Sequence, residues 1–194
     1  MFDMGVFIHT GDLPMDDIVE YGRRAEELGY HGFWPAEESG KDSFAVLAVM
    51  ATALRRMEVG TGIINVYSRT PTLIAMGATT IDLMTGGRMF LGLGTGGIGF
   101  MVRGHGIEIQ RPLARVREYV QIIRALLTGD RVTYEGRFFH IKDFHLRERP
   151  CRRPFPIYIS ALNPKMTRLA GEVADGVIYN FLDRDFYPQV VANI

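Results

Sequence analysis

The residues with the clearest chemical potential are a glycine-rich run, Gly92-Leu93-Gly94-Thr95-Gly96-Gly97, and a pair of adjacent carboxylates, Glu37-Glu38. The run matches the spacing GxGxxG. That motif binds a dinucleotide when its last glycine opens a helix holding the pyrophosphate and an acid ends the next strand, about 20 residues on. The context is missing here: Gly99, Gly104, Gly106 and Pro112 keep the following chain out of a helix, and Glu118, the acid near the right offset, falls inside a helical pattern. The remaining use of such a turn is to let a backbone approach a flat ligand where a side chain would collide. The carboxylate pair reads either as proton-handling groups or as a solvated turn. His9 ends an apolar run, where a lone histidine is more often structural than catalytic. With His105, His140 and His145 it shows no metal-ligand spacing, so no metal site is expected. Cys151, the only cysteine, excludes an internal disulfide and suits a reducing cytoplasm.

The elements that must position these residues are legible from period and punctuation. Met4 to Ile8, Gly32 to Ala36, Val59 to Ile64, Met89 to Leu93, Phe155 to Ala161 and Gly176 to Phe181 read as short apolar strands. Between them, Pro14 to Leu28 places Met15, Ile18, Val19, Ala25 and Leu28 on one helical face, with Asp16 and Asp17 in the first turn. Ser43 to Leu54 is a second helix, and Thr70-Pro71, a hydroxyl cap before proline, opens a third that ends before Gly86-Gly87. Pro112 to Leu127 spaces Leu113, Val116, Val120, Ile123 and Leu127 for one buried face, and Asn163-Pro164 caps a helix to Ala174. Thr95 to Arg111 reads as a glycine-broken loop, and Arg131 to His140 as a hairpin inserted near 131–150. Strand starts recur about every thirty residues, the length of a βα unit. Uncapped apolar strands of this kind belong to parallel sheets covered on both faces. The pattern is a single domain over 1–194 of βα units, the sixth truncated, as either a doubly wound sheet or a (β/α)8 barrel.

Composition excludes several classes. With 22 Lys+Arg against 22 Asp+Glu and 47% hydrophobic residues, the 194-residue chain is neither disordered nor a natural nucleic-acid binder. The cluster Arg147, Arg149, Arg152, Arg153 is broken by Glu148 and prolines and reads as a solvated loop. The N-terminal Met1 to Thr10, with an acid at Asp3, does not read as a signal peptide, and Thr70 to Ile81 and Met89 to Val102 are too short for a membrane span.

Phe33-Trp34 leading into Glu37-Glu38, then Gly60-Thr61-Gly62-Ile63-Ile64-Asn65 with Arg69 and Pro71, resemble the first half of the bacterial luciferase-like superfamily. So do Gly86-Gly87-Arg88 followed by Leu91 to Gly96, and Pro156-Ile157-Tyr158-Ile159-Ser160-Ala161 with Leu169 to Gly176. Within it, Asn65 to Pro71 is most similar to the branch of methylenetetrahydromethanopterin reductase and its coenzyme F420-dependent relatives. The resemblance implies an α/β fold, a (β/α)8 TIM barrel, with a flat cofactor at the C-terminal ends of its strands and hydride transfer to or from a small-molecule substrate. The cofactor would be coenzyme F420, with FMN as the alternative. It implies a bulge with a non-prolyl cis peptide at Gly62-Ile63, and cofactor contacts from Glu37, Gly62, Ile63, Ile64, Asn65, Thr95, Gly96, Gly97, Ser160, Ala161 and Leu162. It also implies a homodimer formed through helices of the early half of the barrel.

Two positions depart from the family pattern. Relatives commonly carry histidine where this chain has Glu38, and some deazaflavin enzymes carry glutamate where it has Gly97. Glu38 is then the candidate general acid, since a carboxylate near another acid and a buried ring can hold its proton to higher pH. A whole barrel needs roughly 250 residues, so the sequence reads as a barrel truncated after about six βα units: a piece of a longer protein, the product of a split gene, or a shortened relative. Three functions compete: an F420-dependent oxidoreductase, an FMN-dependent monooxygenase, and a non-catalytic flavin-binding relative.

Overall fold

In the computed structural model, which describes residues 4–180 and 182–191, the apolar segments assemble into one curled, parallel sheet with helices packed on its outer face. In chain order the elements are β1 (Gly5–Ile8), α1 (Met15–Glu27), β2 (Gly32–Pro35), α2 (Ser43–Ala53), β3 (Glu58–Gly60), β4 (Ile64–Asn65), α3 (Pro71–Thr85) and β5 (Met89–Gly94). Then follow α4 (Pro112–Leu127), β6 (Val132–Glu135), β7 (His140–Phe144), β8 (Ile157–Ser160), α5 (Pro164–Val173), β9 (Gly176–Ile178) and α6 (Tyr187–Val191). The sheet runs β1-β2-β3-β5-β8-β9, with β4 pairing β5 beyond the end of β3. Strand neighbours follow chain order, the connectivity of a barrel wall rather than of a doubly wound sheet.

Alternation along the strands separates two faces. Phe33, Val59, Met89, Leu91, Leu93, Ile157 and Ile159 point outward and are wholly buried beneath the helices. The inner face pairs glycines with aromatic rings. Side chains added at Gly5 and Gly32 would strike the Trp34 ring, one at Gly60 would strike Phe90, and one at Gly176 would meet Tyr158 at 2.9 Å. The rings pack in series, Trp34 to Phe90 at 5.6 Å and Phe90 to Tyr158 at 5.5 Å between centroids. Each glycine makes room for a ring on its own or the neighbouring strand.

The helix boundaries follow local chemistry. Asp42, Thr70 and Asn163 each accept a hydrogen bond from a first-turn N–H, of Ala45, Leu73 and Met166 respectively. Gly86, at φ 67°, closes α3 in the left-handed conformation. Leu28 departs from expectation: it follows the last turn of α1 and is exposed, while Ile18 and Ala25 on the same face are buried. Helix α4 is buried over a wider arc than its pattern suggests, because the β6–β7 hairpin lies across it. Glu118 accepts backbone N–H bonds from Phe138 and Phe139 of the hairpin turn. Arg115 sits among the rings of Tyr67, Tyr119, Phe138 and Phe139 and donates to the Val66 carbonyl, tying the hairpin to the segment after β4.

Three further segments differ from their sequence reading. The expected strand Val59 to Ile64 is two short strands separated by a break. The loop from Thr95 contains a π-helical turn at Phe100–Gly104, which buries Met101. The arginine cluster is partly engaged: Arg152 pairs with Glu58 at 2.6 Å and Arg149 lies 3.9 Å from Asp130. The last strand is observed over Gly176–Ile178; its expected end at Phe181, like Met1 to Asp3 at the N-terminus and 192–194, lies outside the described residues. No helix among the described residues is long and apolar enough to cross a membrane.

Candidate functional site

The C-terminal ends of the strands form one mouth, and its centre is the break between β3 and β4. The Gly62-Ile63 peptide bond is cis, at the position the resemblance implied. The Thr61 side chain repairs the ladder where the backbone leaves it: its hydroxyl donates to the Gly92 carbonyl at 2.7 Å and accepts from the Gly92 N–H at 2.9 Å. Register resumes with Ile64 opposite Leu93 and Asn65 opposite Gly94. Ile63 turns back over the inner face, so that a side chain at Gly94 would meet Ile63 at 2.9 Å and Ser160 at 3.2 Å. Ile63, Gly94 and Ser160 therefore adjoin across three neighbouring strands, and no branch larger than isoleucine stands on them.

The glycine-rich turn is clamped on one side and open on the other. Asn65 is buried, and its amide donates to the Thr95 carbonyl at 2.8 Å, lies 2.9 Å from the Met101 sulfur, and accepts from the Tyr67 N–H at 2.7 Å. Gly96 passes directly over that amide at φ 67°, where any side chain would collide with the Asn65 nitrogen. Gly97, next along, faces open space.

Two ion pairs rim the mouth. Glu37 is nearly buried and accepts from Arg69 at 3.0 Å, and Arg69 also contacts Asp42. Burial alone works against the Arg69 charge, but Glu37 and Asp42 outweigh it and hold the guanidinium more firmly protonated than usual. Tyr119, whose hydroxyl donates to the Arg69 carbonyl at 2.6 Å, has its pKa raised mainly by burial. Glu38 is half exposed and hydrogen-bonds His9 Nδ1 at 3.0 Å, joining the ends of β1 and β2. Glu37, Glu38, Lys41, Arg69, Phe100 and His105 line a cavity of about 370 Å³.

Not every expected contact residue presents a side chain here. Gly62, Ile63, Thr95, Gly96, Gly97 and Ser160 are at least partly accessible, and Leu162 is 74% exposed. Ile64, Asn65 and Ala161 are buried behind the mouth, so they support it through backbone and packing. From sequence, His9 reads as a lone histidine with a structural role, and nothing indicates that Arg69 pairs with Glu37 or that Thr61 repairs the ladder. A nearly buried carboxylate needs a cation, and Arg69 meets that requirement once the fold has buried Glu37. Among the described residues no cluster of His, Cys, Asp and Glu is arranged to hold a metal ion.

Fold and mouth together define a wall of a (β/α) barrel whose functional groups gather at the C-terminal ends of its strands. The sequence matches the family described as Luciferase-like monooxygenase over residues 1–194, and the chain belongs to that family. It is 35% identical over 170 residues to the 5,10-methylenetetrahydromethanopterin reductase of Archaeoglobus fulgidus, covering 87% of this chain and 50% of that protein. It is 33% identical over 175 residues to the F420-dependent glucose-6-phosphate dehydrogenase of Amycolatopsis mediterranei, covering 84% and 52%. The solved structure of the coenzyme F420-dependent tetrahydromethanopterin reductase of Methanopyrus kandleri superposes with a TM-score of 0.90 at 25% identity, over 98% of this chain and 59% of that one. The chain spans about half the length of the curated relatives it matches.

Proposed function

We propose that the chain belongs to an oxidoreductase that binds coenzyme F420 at this mouth and transfers a hydride between it and a small organic substrate. The observation that carries this reading is the break between β3 and β4, flanked by the small residues Gly94 and Ser160 and the open glycine turn, in a chain similar to proteins named for coenzyme F420. The donor set fits a flat ring: backbone and small side chains of Gly62, Ile63, Thr95, Gly96, Gly97 and Ser160 would line it, with Ile64, Asn65 and Ala161 holding those segments from behind. Leu162 offers an apolar edge, and the Glu37–Arg69 pair fixes the rim. When bound, the deazaflavin supplies a ring carbon that gives or takes a hydride. The chain's own part is to orient that ring, keep water from its buried side and manage a proton at the pair of Glu38 and His9.

Titration of the full-length protein with coenzyme F420 and with FMN, followed by absorbance and fluorescence, tests the reading. Preferential F420 binding is expected. Tight FMN binding without F420 binding would reject it in favour of flavin-dependent oxygenation, the reading that the family's description supports; binding of neither would favour a non-catalytic relative.

The reading includes a homodimer formed through α2 and α3. Leu73, Met76, Leu83 and Met84 lie along α3 as an exposed apolar stripe beside Val49 of α2, and a helix as apolar as α2 is normally covered. A second copy of this face is the occupant proposed. Met76→Glu should convert the dimer to monomer in sedimentation; a monomeric unsubstituted protein would exclude the interface. The single cysteine fits a cytoplasmic location.

A further inference from the structure

His9 and His140 each pair with a carboxylate, and the two pairs stand in different surroundings. His140 Nδ1 meets Glu135 at 2.8 Å on the β6–β7 hairpin, with both side chains largely in solvent. His9 Nδ1 meets Glu38 at 3.0 Å at the strand ends, where β1 and β2 are held in register by Ile8 opposite Pro35 and by the Ala36 N–H on the Ile8 carbonyl at 3.0 Å. The His9 ring is further fixed by Phe7, which meets it edge to face at 4.9 Å between centroids. Phe7 in turn lies against the bulge: a side chain at Gly62 would approach its ring to 3.1 Å. Phe7 is on β1 and His9 just past its end, and the contact of their rings puts them on one side of the chain. The imidazole thus stands one ring away from the cis peptide, with Nδ1 engaged by the carboxylate and no protein partner recorded for Nε2 among the described residues.

We propose that His9, not Glu38 directly, exchanges the proton with substrate, and that Glu38 is a positioning residue that fixes its tautomer. The proposal rests on the F420 reading and deepens it: the substrate is a carbonyl compound or the corresponding alcohol, because such a reaction moves a proton at oxygen together with the hydride at carbon. In the reducing direction a bound deazaflavin would supply the hydride to the carbonyl carbon; as the C=O π pair moved to oxygen, the His9 Nε2–H bond would break and an O–H bond would form. The imidazolium is left as the neutral Nδ1–H tautomer, which is the form Glu38 is positioned to accept from. Oxidation of the alcohol reverses each transfer. The imidazole stands just past the end of β1, and Glu38 stands past the end of β2.

Nitrogen-15 spectra of the histidine rings in the full-length protein test this without turnover, with His9→Gln and His140→Gln providing the assignments. Neutral His9 is expected as the Nδ1–H tautomer, shifting toward Nε2–H in Glu38→Gln, and its Nε2 resonance is expected to move when coenzyme F420 is added while that of His140 stays in place. F420 binding seen by fluorescence with no movement at His9 would overturn the proposal and leave the F420 reading standing; no F420 binding by the unsubstituted protein would overturn both. For activity, the probes are glucose 6-phosphate, 2-propanol and a panel of simple aldehydes and ketones. His9→Gln should lower kcat by about a hundredfold or more with unchanged F420 affinity, the usual size of a general acid–base contribution. Glu38→Gln should lower kcat less. Turnover by His9→Gln equal to the unsubstituted protein, or inertness of the F420-binding protein toward every member of the panel, would overturn the proposal.

Discussion

The two ends of the barrel wall use carboxylates differently. At the N-terminal ends of the strands, Asp82 and Glu26 bond to backbone. Asp82, wholly buried, accepts from the Arg152 N–H at 3.0 Å and the Met89 N–H at 3.3 Å, and Glu26 accepts from the N–H groups of Arg55, Arg56 and Met57. Arg88 completes that floor by donating to the carbonyls of Leu54, Met57 and Thr85. At the C-terminal mouth, Glu37 and Glu38 bond chiefly to side chains, Arg69 and His9. A carboxylate bonded to fixed amides cannot let go without local unfolding, whereas a side-chain pair can rotate, exchange partners or pass a proton. The floor carries stability and the mouth carries responsiveness, the division expected of barrels.

The largest effect that would break this comparison lies in the floor. Asp82→Ala should cost about 3 kcal/mol of unfolding free energy, read from urea denaturation, because it strands two backbone donors beside β5. A cost under about 1 kcal/mol would mean the floor is no more committed than the mouth. Turns sharpen the contrast next. Gly96→Ala should destabilise by about 2 kcal/mol, combining the left-handed backbone with collision on Asn65, and should weaken F420 binding as well. Gly29→Ala, also at positive φ but with nothing nearby, should cost about 1 kcal/mol with no effect on binding. Equal behaviour of the two would remove the clamp proposed for the mouth.

The smallest effect depends on pH. Burial tends to raise the Glu26 pKa, but the three backbone N–H bonds and the Arg56 charge outweigh it, and the carboxyl titrates below the ordinary range. A pKa lowered on folding adds stability that is fully present above the unfolded value, about 4.3, and is lost as pH falls through the folded value. Glu26→Gln should therefore be less stable than the unsubstituted protein at neutral pH, by under about 1 kcal/mol since the group is only partly buried. The difference should vanish on acidification. A gap that persisted at low pH would assign the loss to packing.

Much of the frame was legible because its signals are local. Caps at Thr70 and Asn163, the glycine after α3 and the apolar runs of the strands each act within a few residues, and each falls where expected. The split of Val59 to Ile64 was not visible in hydrophobicity, since both halves are apolar; only the similarity of Gly60 to Asn65 to known bulges indicated it. The π-helical turn at Phe100–Gly104 was hidden by the glycines around it, whose low helical propensity is offset by burial of Met101 against Asn65.

By itself, the sequence determined the alternation of strands and helices, the position of the glycine turn at a strand end, and the adjacent carboxylates after β2, because each depends on residues adjacent in the chain. The tertiary structure alone decided the partners: Glu38 meets His9 across 29 residues and Glu37 meets Arg69 across 32. Such pairs form only when parallel strands bring successive βα units into register. Which acid is locked to an arginine and which is left to orient a histidine is therefore a property of the assembled mouth.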